Sequence, residues 1–295
     1  MTQVMAVLNI TPDSFSDGGL HLDHAAAIAH GLRLVDDGAR IVDVGGESTR
    51  PGAQRVPEAE EHDRVLPVIA ALAAEGVVVS VDTMRASTAV AAVAAGAAIV
   101  NDVSGGLADP DLLPAVAESG AQVVLMHWRA HSRTMNDFAH YDDVVTDVLT
   151  ELLARRDAAL AAGVRADRIV LDPGLGFAKT PEHNWELLRH LDRFAAVGHR
   201  VLVGASRKRF LGELLGERPP SGRDAATAAV SMWCGLHSIW AVRTHEVRAQ
   251  LDSLAVAGAL RPPKGDGDAR RARPASSDGR DPDLVSRAKG GGSPR

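Results

Sequence analysis

Short apolar runs alternate along the chain with longer stretches in which apolar residues recur every three or four positions. The short runs are rich in Val, Ile and Leu without alternating polar residues, which is typical of parallel strands buried on both faces. The longer stretches have the period of an amphipathic helix. The predicted strands cover residues 4–8, 41–44, 77–81, 98–100, 122–126, 168–171, 200–203 and 239–242. The predicted helices cover residues 23–37, 57–75, 86–95, 111–119, 143–162, 181–191, 223–237 and 246–257.

Eight strand–helix units in roughly 260 residues indicate an α/β fold of the (β/α)8 TIM-barrel type, in a single domain. A doubly wound open sheet is the alternative, but it usually has a glycine-rich phosphate-binding turn after its first strand. Here that turn is Asn9-Ile10-Thr11-Pro12-Asp13. We expect residues 1–260 to form the barrel. Residues 261–295 contain few large apolar side chains, so we expect a disordered tail.

Composition narrows the class of protein. The chain has 295 residues, 45% hydrophobic and 24% charged, which is ordinary for a globular protein. One cysteine, Cys234, excludes an intramolecular disulfide and fits a reducing cytoplasm. No apolar run reaches the roughly 18 residues of a membrane span, and the N-terminus does not resemble a signal peptide. We therefore expect a cytoplasmic protein.

The distribution of charge along the chain indicates which kinds of binding partner to expect. Of the formal net charge of −6, the residues from Arg261 onward contribute +4, so the preceding chain carries −10. Such an acidic body argues against nucleic acid as the main partner. We expect small-molecule substrates and neither a nucleic-acid nor a membrane partner.

Polar residues lie at the ends of all eight predicted strands. In order, the first six ends carry Asn9, Asp43, Asp82, Asn101, His127 and Asp172, the seventh runs from Gly204 through Ser206, Arg207, Lys208 and Arg209, and the eighth carries Arg243. In a TIM barrel the C-terminal strand ends form one rim, where the active site lies. Burying several carboxylates there is costly unless partners are present, so their convergence indicates a ligand site.

The residue types suggest two parts of a ligand. Asp82, Asn101 and Asp172 are suited to the N–H and C=O groups of a planar heterocycle. Lys208, Arg243 and His245 are suited to phosphate, and Asn9 suits a Mg²⁺ ion that phosphate oxygens also hold. The residues therefore predict a polar heterocycle attached to a phosphate group, without identifying the heterocycle.

Seven segments, in chain order, resemble the motifs of the dihydropteroate synthase family of pterin-binding barrels. The two long ones are Leu8 to Gly19 and Asp43 to Gly52. The shorter ones lie at residues 80–83, 101–106, 172–177, 204–208 and 242–247. The resemblance covers roughly residues 4–257, and the helices rich in Ala, Arg and Val suggest a bacterial, actinobacterial source.

The resemblance implies an enzyme that joins 6-hydroxymethyl-7,8-dihydropterin pyrophosphate to p-aminobenzoate, with Mg²⁺ as cofactor. It assigns catalytic roles to Asp82, Lys208 and Asp13. It places around the pterin Asp82, Asn101, Asp172, Phe177, Gly204 and Lys208. It assigns Asn9, Arg243 and His245 to the pyrophosphate, and Asn9 also to the metal. It places around p-aminobenzoate Phe15, Thr49, Arg50, Pro51, Ser206 and Arg209.

Position 209 holds Arg, where many members have Ser, and we expect Arg209 beside the arylamine carboxylate. The family also implies a homodimer, for which residues 225–239 have the apolar composition of an interface.

Other interpretations stay open at this point. A methyltransferase domain acting on methyltetrahydrofolate has a similar pterin barrel, but it does not need the Ser48-Thr49-Arg50-Pro51 loop or Ser206-Arg207-Lys208. A non-catalytic paralogue is expected to lack loop residues or a lysine such as Lys208, which this chain retains. His127 is either a ligand contact or a rim histidine with internal partners.

Overall fold

The computed structural model describes residues 1–11, 24–47, 55–131 and 133–261. Its strands are β1 Gln3–Asn9, β2 Ile41–Gly45, β3 Val79–Asp82, β4 Ile99–Asp102, β5 Gln122–Met126, β6 Ile169–Asp172, β7 Arg200–Val203 and β8 Ala241–Thr244. Its α-helices are α1 His24–Asp36, α2 Glu58–Ala74, α3 Ala86–Ala94, α4 Leu112–Ser119, α5 Val144–Ala161, α6 Pro181–Arg189, α7 Leu191–Ala195, α8 Arg209–Leu214, α9 Asp224–Leu236 and α10 Arg248–Leu260.

The eight strands form one closed parallel barrel in chain order, and β1 pairs with β8 to complete it. Every neighbouring pair is parallel, and the helices lie between successive strands along the chain. The predicted (β/α)8 TIM barrel is therefore confirmed. The predicted tail covers residues 261–295, and all of it beyond Arg261 lies outside the described residues.

Two short helices, α7 and α8, are not in the sequence-based prediction. The first continues a helix predicted to end at residue 191, and the second follows a strand end predicted only as a loop. The last strand also begins two residues later than predicted. Ile239 lies in the turn that ends α9, because its N–H donates to the Cys234 carbonyl at 3.2 Å and Ser238 has a positive φ of 60°.

Strand side chains divide between two apolar layers. One face of each strand packs against the helices in a large continuous core. The other face points into the barrel, where a separate cluster contains Met5, Ile41, Ile99, Val124, Val170, Leu202 and Ala241. Because side chains on a strand alternate between faces, the residue two positions later also points into the barrel, one layer higher. The upper layer consists largely of polar strand-end residues, together with Val7, Met126 and Gly204.

None of the helices in the described ranges is long and apolar enough to cross a bilayer.

Candidate active site

The upper layer of the barrel is polar although it is enclosed. Two residues beyond the apolar layer lie Asp43, Asn101, Met126, Asp172, Gly204 and Arg243. Asp82 occupies the matching position on β3, and the register sets it beside Gly45 on one side and Asn101 on the other. The Asp43, Asp82, Asn101 and Asp172 side chains are all buried. The barrel thus gathers carboxylates that the sequence separates by up to 129 positions.

Arg243 links the strand ends on one side of this layer. Its Nε donates to Asp43 Oδ2 at 2.6 Å, and its Nη2 donates to Asp82 Oδ2 at 2.7 Å. The Asn101 amide donates to the same Asp43 oxygen at 2.9 Å. The other oxygen, Asp43 Oδ1, is buried without a hydrogen-bond partner within the described part of the chain. The network joins β2, β3, β4 and β8 and leaves one buried carboxylate oxygen without a donor among the described residues.

Burial strongly affects the Asp82 carboxyl. Loss of solvent raises its pKa to about 7, against the opposing effect of Arg243, and the nearby carboxylates of Asp43, Glu61 and Asp102 raise it further. A carboxyl group with a pKa near neutrality responds readily to a charged ligand. Perturbed groups of this kind cluster at functional sites.

Lys208 lies on the opposite side of the layer. Its Nζ donates to the Leu175 carbonyl and lies 4.8 Å from the centre of the Phe177 ring. Burial lowers the pKa of Lys208 to about 8, although Asp172 acts in the other direction. Burial also raises the pKa of Asp172, against the effect of Lys208. The two groups therefore stabilise each other's charged forms in an enclosed site.

The turn after β7 directs Lys208 into the barrel. Arg207 has a positive φ of 59°, which is strained for a residue with a side chain. Its guanidinium binds Asp224 with two parallel hydrogen bonds of 2.7 and 2.8 Å, and its N–H donates to Thr227 Oγ1. These contacts with α9 hold the turn in the conformation that places Lys208 over Phe177.

A serine and a histidine connect the loops after β7 and β8. Ser206 Oγ lies 3.0 Å from His245 Nδ1 and accepts a hydrogen bond from the His245 N–H at 3.1 Å. The family motifs assign these residues to p-aminobenzoate and pyrophosphate, respectively. Their contact means that the two predicted subsites adjoin at this edge.

Apolar side chains line another part of the rim. Met84, Val103 and Met126 form a small buried cluster, against which the partly buried Phe177 and Trp128 pack. This surface is separate from both barrel cores. A flat ring that contacts it can still direct its polar edge towards Asp82, Asn101 and Asp172, so the site suits a polar heterocycle.

Charged side chains contact the described residues Glu47 and Val56 after β2. Arg85 donates to Glu47 Oε2 at 3.0 Å and to the Val56 carbonyl at 2.6 Å, and it also pairs with Glu61. Glu61 is 1% exposed and accepts from Thr83 Oγ1 at 2.6 Å. One arginine therefore contacts both ends of the chain between residues 47 and 56.

Gly45 lies between the Asn9 and Asp82 side chains. A Cβ atom at Gly45 would lie 3.6 Å from Asn9 Oδ1 and 3.8 Å from Asp82 Oδ2, so glycine leaves that space open between the two oxygens. No group of three or more His, Cys, Asp or Glu side chains in the described ranges could hold a metal ion. A cation at Asn9 would therefore need oxygen ligands from a substrate or from water, as Mg²⁺ commonly uses.

Several predicted residues are not brought into this layer. Arg209 is 83% exposed on α8, where its Nε donates to Glu213 at 2.6 Å. The predicted residues Asp13, Phe15, Thr49, Arg50 and Pro51 lie outside the described residues. The predicted residue Gly204, in contrast, belongs to the layer, with the position of an added Cβ 3.8 Å from Arg243 Cβ and 4.0 Å from Lys208 Nζ.

The sequence-based assignment omits two residues of functional interest. Asp43 has no role in it, although its place two residues after Ile41 is equivalent to that of Asn101 after Ile99. Lys179 is absent from it as well; this lysine is 8% exposed and its Nζ lies 2.9 Å from His127 Nδ1. No local pattern indicates Lys179, because its partner is 52 residues away.

Comparisons with known proteins agree with this geometry. Residues 5–245 match the family model described as "Pterin binding enzyme". The dihydropteroate synthase of Mycobacterium leprae (strain TN) is 55% identical over 263 residues, covering 87% of this chain and 93% of the relative. That similarity fits the bacterial, actinobacterial character predicted from the sequence.

Solved structures of dihydropteroate synthases are also similar to this chain in fold and sequence. A Xanthomonas albilineans dihydropteroate synthase structure with 4-aminobenzoic acid has a TM-score of 0.81 and 44% identity, covering 92% of this chain and 94% of that one. Another structure from that organism, in complex with 7,8-dihydropteroate, has a TM-score of 0.78 and 42% identity, with coverage of 92% and 95%. The chain therefore belongs to the pterin-binding enzymes and, within them, to the dihydropteroate synthase family of transferases.

Proposed function

We propose that this chain condenses 6-hydroxymethyl-7,8-dihydropterin pyrophosphate with p-aminobenzoate, giving 7,8-dihydropteroate and pyrophosphate in folate biosynthesis. The observation that carries the proposal is the buried polar layer of Asp43, Asp82, Asn101, Asp172 and Arg243 in a barrel of this family. The relatives provide independent support, since solved dihydropteroate synthases similar to this chain contain 4-aminobenzoic acid or 7,8-dihydropteroate.

The pterin ring is assigned to the middle of the layer. Carboxylates of Asp82 and Asp172 accept hydrogen bonds from ring N–H groups, and the Asn101 amide can pair with both kinds of ring atom. Phe177 supplies an apolar contact, and Gly204 leaves room beside Lys208. Lys208 donates to a ring carbonyl or nitrogen once it exchanges its contact with the Leu175 carbonyl.

The charge of the layer suits the reaction. Three carboxylates, from Asp43, Asp82 and Asp172, face two cations, Arg243 and Lys208. The arylamine is a weak nucleophile, so departure of pyrophosphate leaves positive charge on the pterin before the new C–N bond is complete. The surplus negative charge stabilises that cation most strongly in an enclosed site of low dielectric. Asp82 is the carboxylate to which we assign this role.

The pyrophosphate is assigned to the side of Asn9, Arg243 and His245. Arg243 has to exchange part of its pairing with Asp43 and Asp82 for phosphate oxygens, so the leaving group and the pterin carboxylates compete for one guanidinium. We propose that Mg²⁺ binds there, held by Asn9 Oδ1 and the diphosphate. When bound, it neutralises negative charge on the leaving group.

The p-aminobenzoate is assigned to the outer edge of the site. Ser206 lies at that edge beside His245, and we place Asp13, Phe15, Thr49, Arg50 and Pro51 around the same substrate because of the family motifs. Arg209 is included through its predicted contact with the carboxylate, which requires it to leave its exposed pairing with Glu213.

The test is release of pyrophosphate, measured with both substrates and with p-aminobenzoate omitted. We expect release to depend on p-aminobenzoate and to match formation of 7,8-dihydropteroate one for one. Chelation of divalent metal should lower the rate at least tenfold, and added Mg²⁺ should restore it, because charge on the leaving group is no longer neutralised.

The rival interpretations predict different results in that assay. A methyltransferase would release no pyrophosphate and would instead consume methyltetrahydrofolate in the presence of a methyl acceptor. A non-catalytic paralogue would bind the pterin substrate without turnover. Either result would overturn the proposed activity.

We also propose a cytoplasmic homodimer that uses the surface of α9. The support is the family resemblance and Trp233, which is 39% exposed on that helix while its indole N–H donates to the Leu188 carbonyl at 2.7 Å. Sedimentation should give twice the chain mass of 31.0 kDa, and Trp233→Arg should shift the protein towards monomer. A wild-type protein that sediments only as monomer at micromolar concentration would contradict the dimer.

A further inference from the structure

The turn after β6 has an unusual backbone. Gly174, Gly176 and Ala178 all have positive φ, at 68°, 77° and 49°. Ala178 has a side chain, so its conformation is unfavourable by about 1 kcal/mol or more. Gly174 has no room for a side chain, because an added Cβ would overlap the His127 carbonyl. Such a backbone persists only where its surroundings hold it firmly.

The same turn carries part of the pterin site assigned above. It presents the Phe177 ring to Lys208 Nζ, and its Leu175 carbonyl accepts from that amine. Asp172, just before the turn, accepts from the Gly174 N–H at 2.7 Å. A displacement of the turn would therefore move an apolar contact and disturb a cation and a carboxylate of the site.

A row of three titratable side chains contacts this turn; Lys179 and His127 are buried, and Glu151 at the outer end is partly exposed. Lys179 Nζ donates to the Phe177 carbonyl at 2.9 Å and lies 2.9 Å from His127 Nδ1. His127 Nε2 lies 2.9 Å from Glu151 Oε2. His127 is 1% exposed, so the structure favours the interpretation of a rim histidine with internal partners.

The chemistry of the row sets the direction of its hydrogen bonds. Burial and the neighbouring Lys179 lower the pKa of His127 to about 4, so its ring is neutral near pH 7. A neutral ring that accepts from Lys179 at Nδ1 carries its proton on Nε2 and donates it to Glu151. Glu151 is fixed in turn by Arg129, whose Nε and Nη2 donate to it at 3.1 and 2.5 Å.

A second contact holds the adjacent peptide. The Tyr141 hydroxyl donates to the Ala178 carbonyl at 2.9 Å, and the Arg129 guanidinium lies 3.8 Å from the centre of the Tyr141 ring. Arg129 thus supports both routes to the turn, one through Glu151 and one through Tyr141. The first route ends at the Phe177 carbonyl and the second at the Ala178 carbonyl. The two hydrogen bonds therefore hold the peptide groups on both sides of the strained residue Ala178.

We propose that Lys179 is a positioning residue, and that Lys179, His127 and Glu151 act as one row that holds the turn at residues 174–179 and so places Phe177 and Lys208 against the pterin ring. The inference rests on the proposed function, because it takes the pterin as the ligand of that site. The hydrogen bonds of the row among the described residues run to the turn after β6 and to each other, so we expect its loss to act mainly on the pterin substrate.

The test compares Lys179→Met with the wild type. Methionine keeps an unbranched apolar chain but donates no hydrogen bond to Phe177 or His127. We expect the KM for dihydropterin pyrophosphate to rise about 10- to 100-fold, since displacements of about 1 Å in a site have effects of this size. The KM for p-aminobenzoate should change less than threefold. The Kd for 6-hydroxymethylpterin, measured by calorimetry without the second substrate, should rise with the KM.

A second variant of the row and a control variant are compared with Lys179→Met. Glu151→Leu breaks the row at its partly exposed outer end and should raise the pterin Kd in the same direction by a smaller factor, which keeps the test available if Lys179→Met does not fold. Arg189→Met removes an exposed cation from α6, paired only with Glu186 among the described residues, and should leave both KM values unchanged.

The outcomes separate the inference from the proposed function. A folded Lys179→Met protein with unchanged pterin KM and Kd would overturn the inference, as would equal losses for both substrates. A wild-type protein without pyrophosphate release dependent on p-aminobenzoate would instead overturn the proposed function. Binding of the pterin can still be measured in that case, and a higher Kd in the variant would support the positioning role alone.

Discussion

An Asp82→Asn variant should lose about 1,000-fold in turnover while it retains the barrel. The amide preserves the shape of the side chain and can still accept a hydrogen bond from Arg243. It cannot supply the negative charge that we assign to stabilisation of the pterin cation, and removal of one such electrostatic contact typically costs a factor of about 100 to 1,000. The measurement is kcat under saturation with both substrates, with the thermal midpoint as the check on folding.

The pH profile adds a second readout for the same residue. Burial raises the pKa of Asp82 to about 7, so the wild-type kcat/KM for the pterin substrate should fall as the pH drops below about 7. The Asn variant should lack this acidic limb. Asp157→Asn, which removes a carboxylate from an exposed position on α5, is the matched control and should behave as wild type. Turnover of Asp82→Asn within tenfold of wild type would refute the assigned role.

The sequence predicts most of the barrel because its strands are bounded by strong local signals. The strand from Gln122 to Met126 has an apolar run of four residues, lies shortly after Gly120 and is followed by His127, and its predicted bounds are those observed. The helices α7 and α8 lack such a signal, since they have only five and six residues. They form where Phe194 and Phe210 are buried, at 2% and 3% exposure, and that packing is set by distant parts of the chain.

The same distinction applies to the candidate site. Strand ends can be located from sequence, and their side chains follow a period of two, so the amino-acid pattern alone groups Asp82, Asn101 and Asp172. Asp43 carries the same signal and belongs with them on that basis. The connection of Arg243 to both Asp43 and Asp82 has no such signal, because it depends on which side chains face each other across the closed barrel.

Replacement of Lys208 by methionine should raise the KM for dihydropterin pyrophosphate about 100-fold and leave the KM for p-aminobenzoate within threefold. Lys208 is the cation that most strongly favours the ionised form of the buried Asp172 carboxyl. Without it, Asp172 is left as a poorly compensated buried charge, which is costly, and it will tend to take up a proton and lose an acceptor site for the ring. Steady-state kinetics with each substrate varied in turn gives both KM values.

The alkaline side of the pH profile distinguishes this role from general damage to the fold. Burial lowers the pKa of Lys208 to about 8, so the wild-type kcat/KM for the pterin should fall above about pH 8, and the methionine variant should lack that limb. Lys208→Arg restores the charge but not the shape, because the lysine chain packs closely against Gly176, with Cδ 3.1 Å from the position of an added Cβ there. It should therefore recover only part of the affinity. An alkaline limb that persists unchanged in Lys208→Met would assign that ionisation to another group and remove Lys208 from the pterin site.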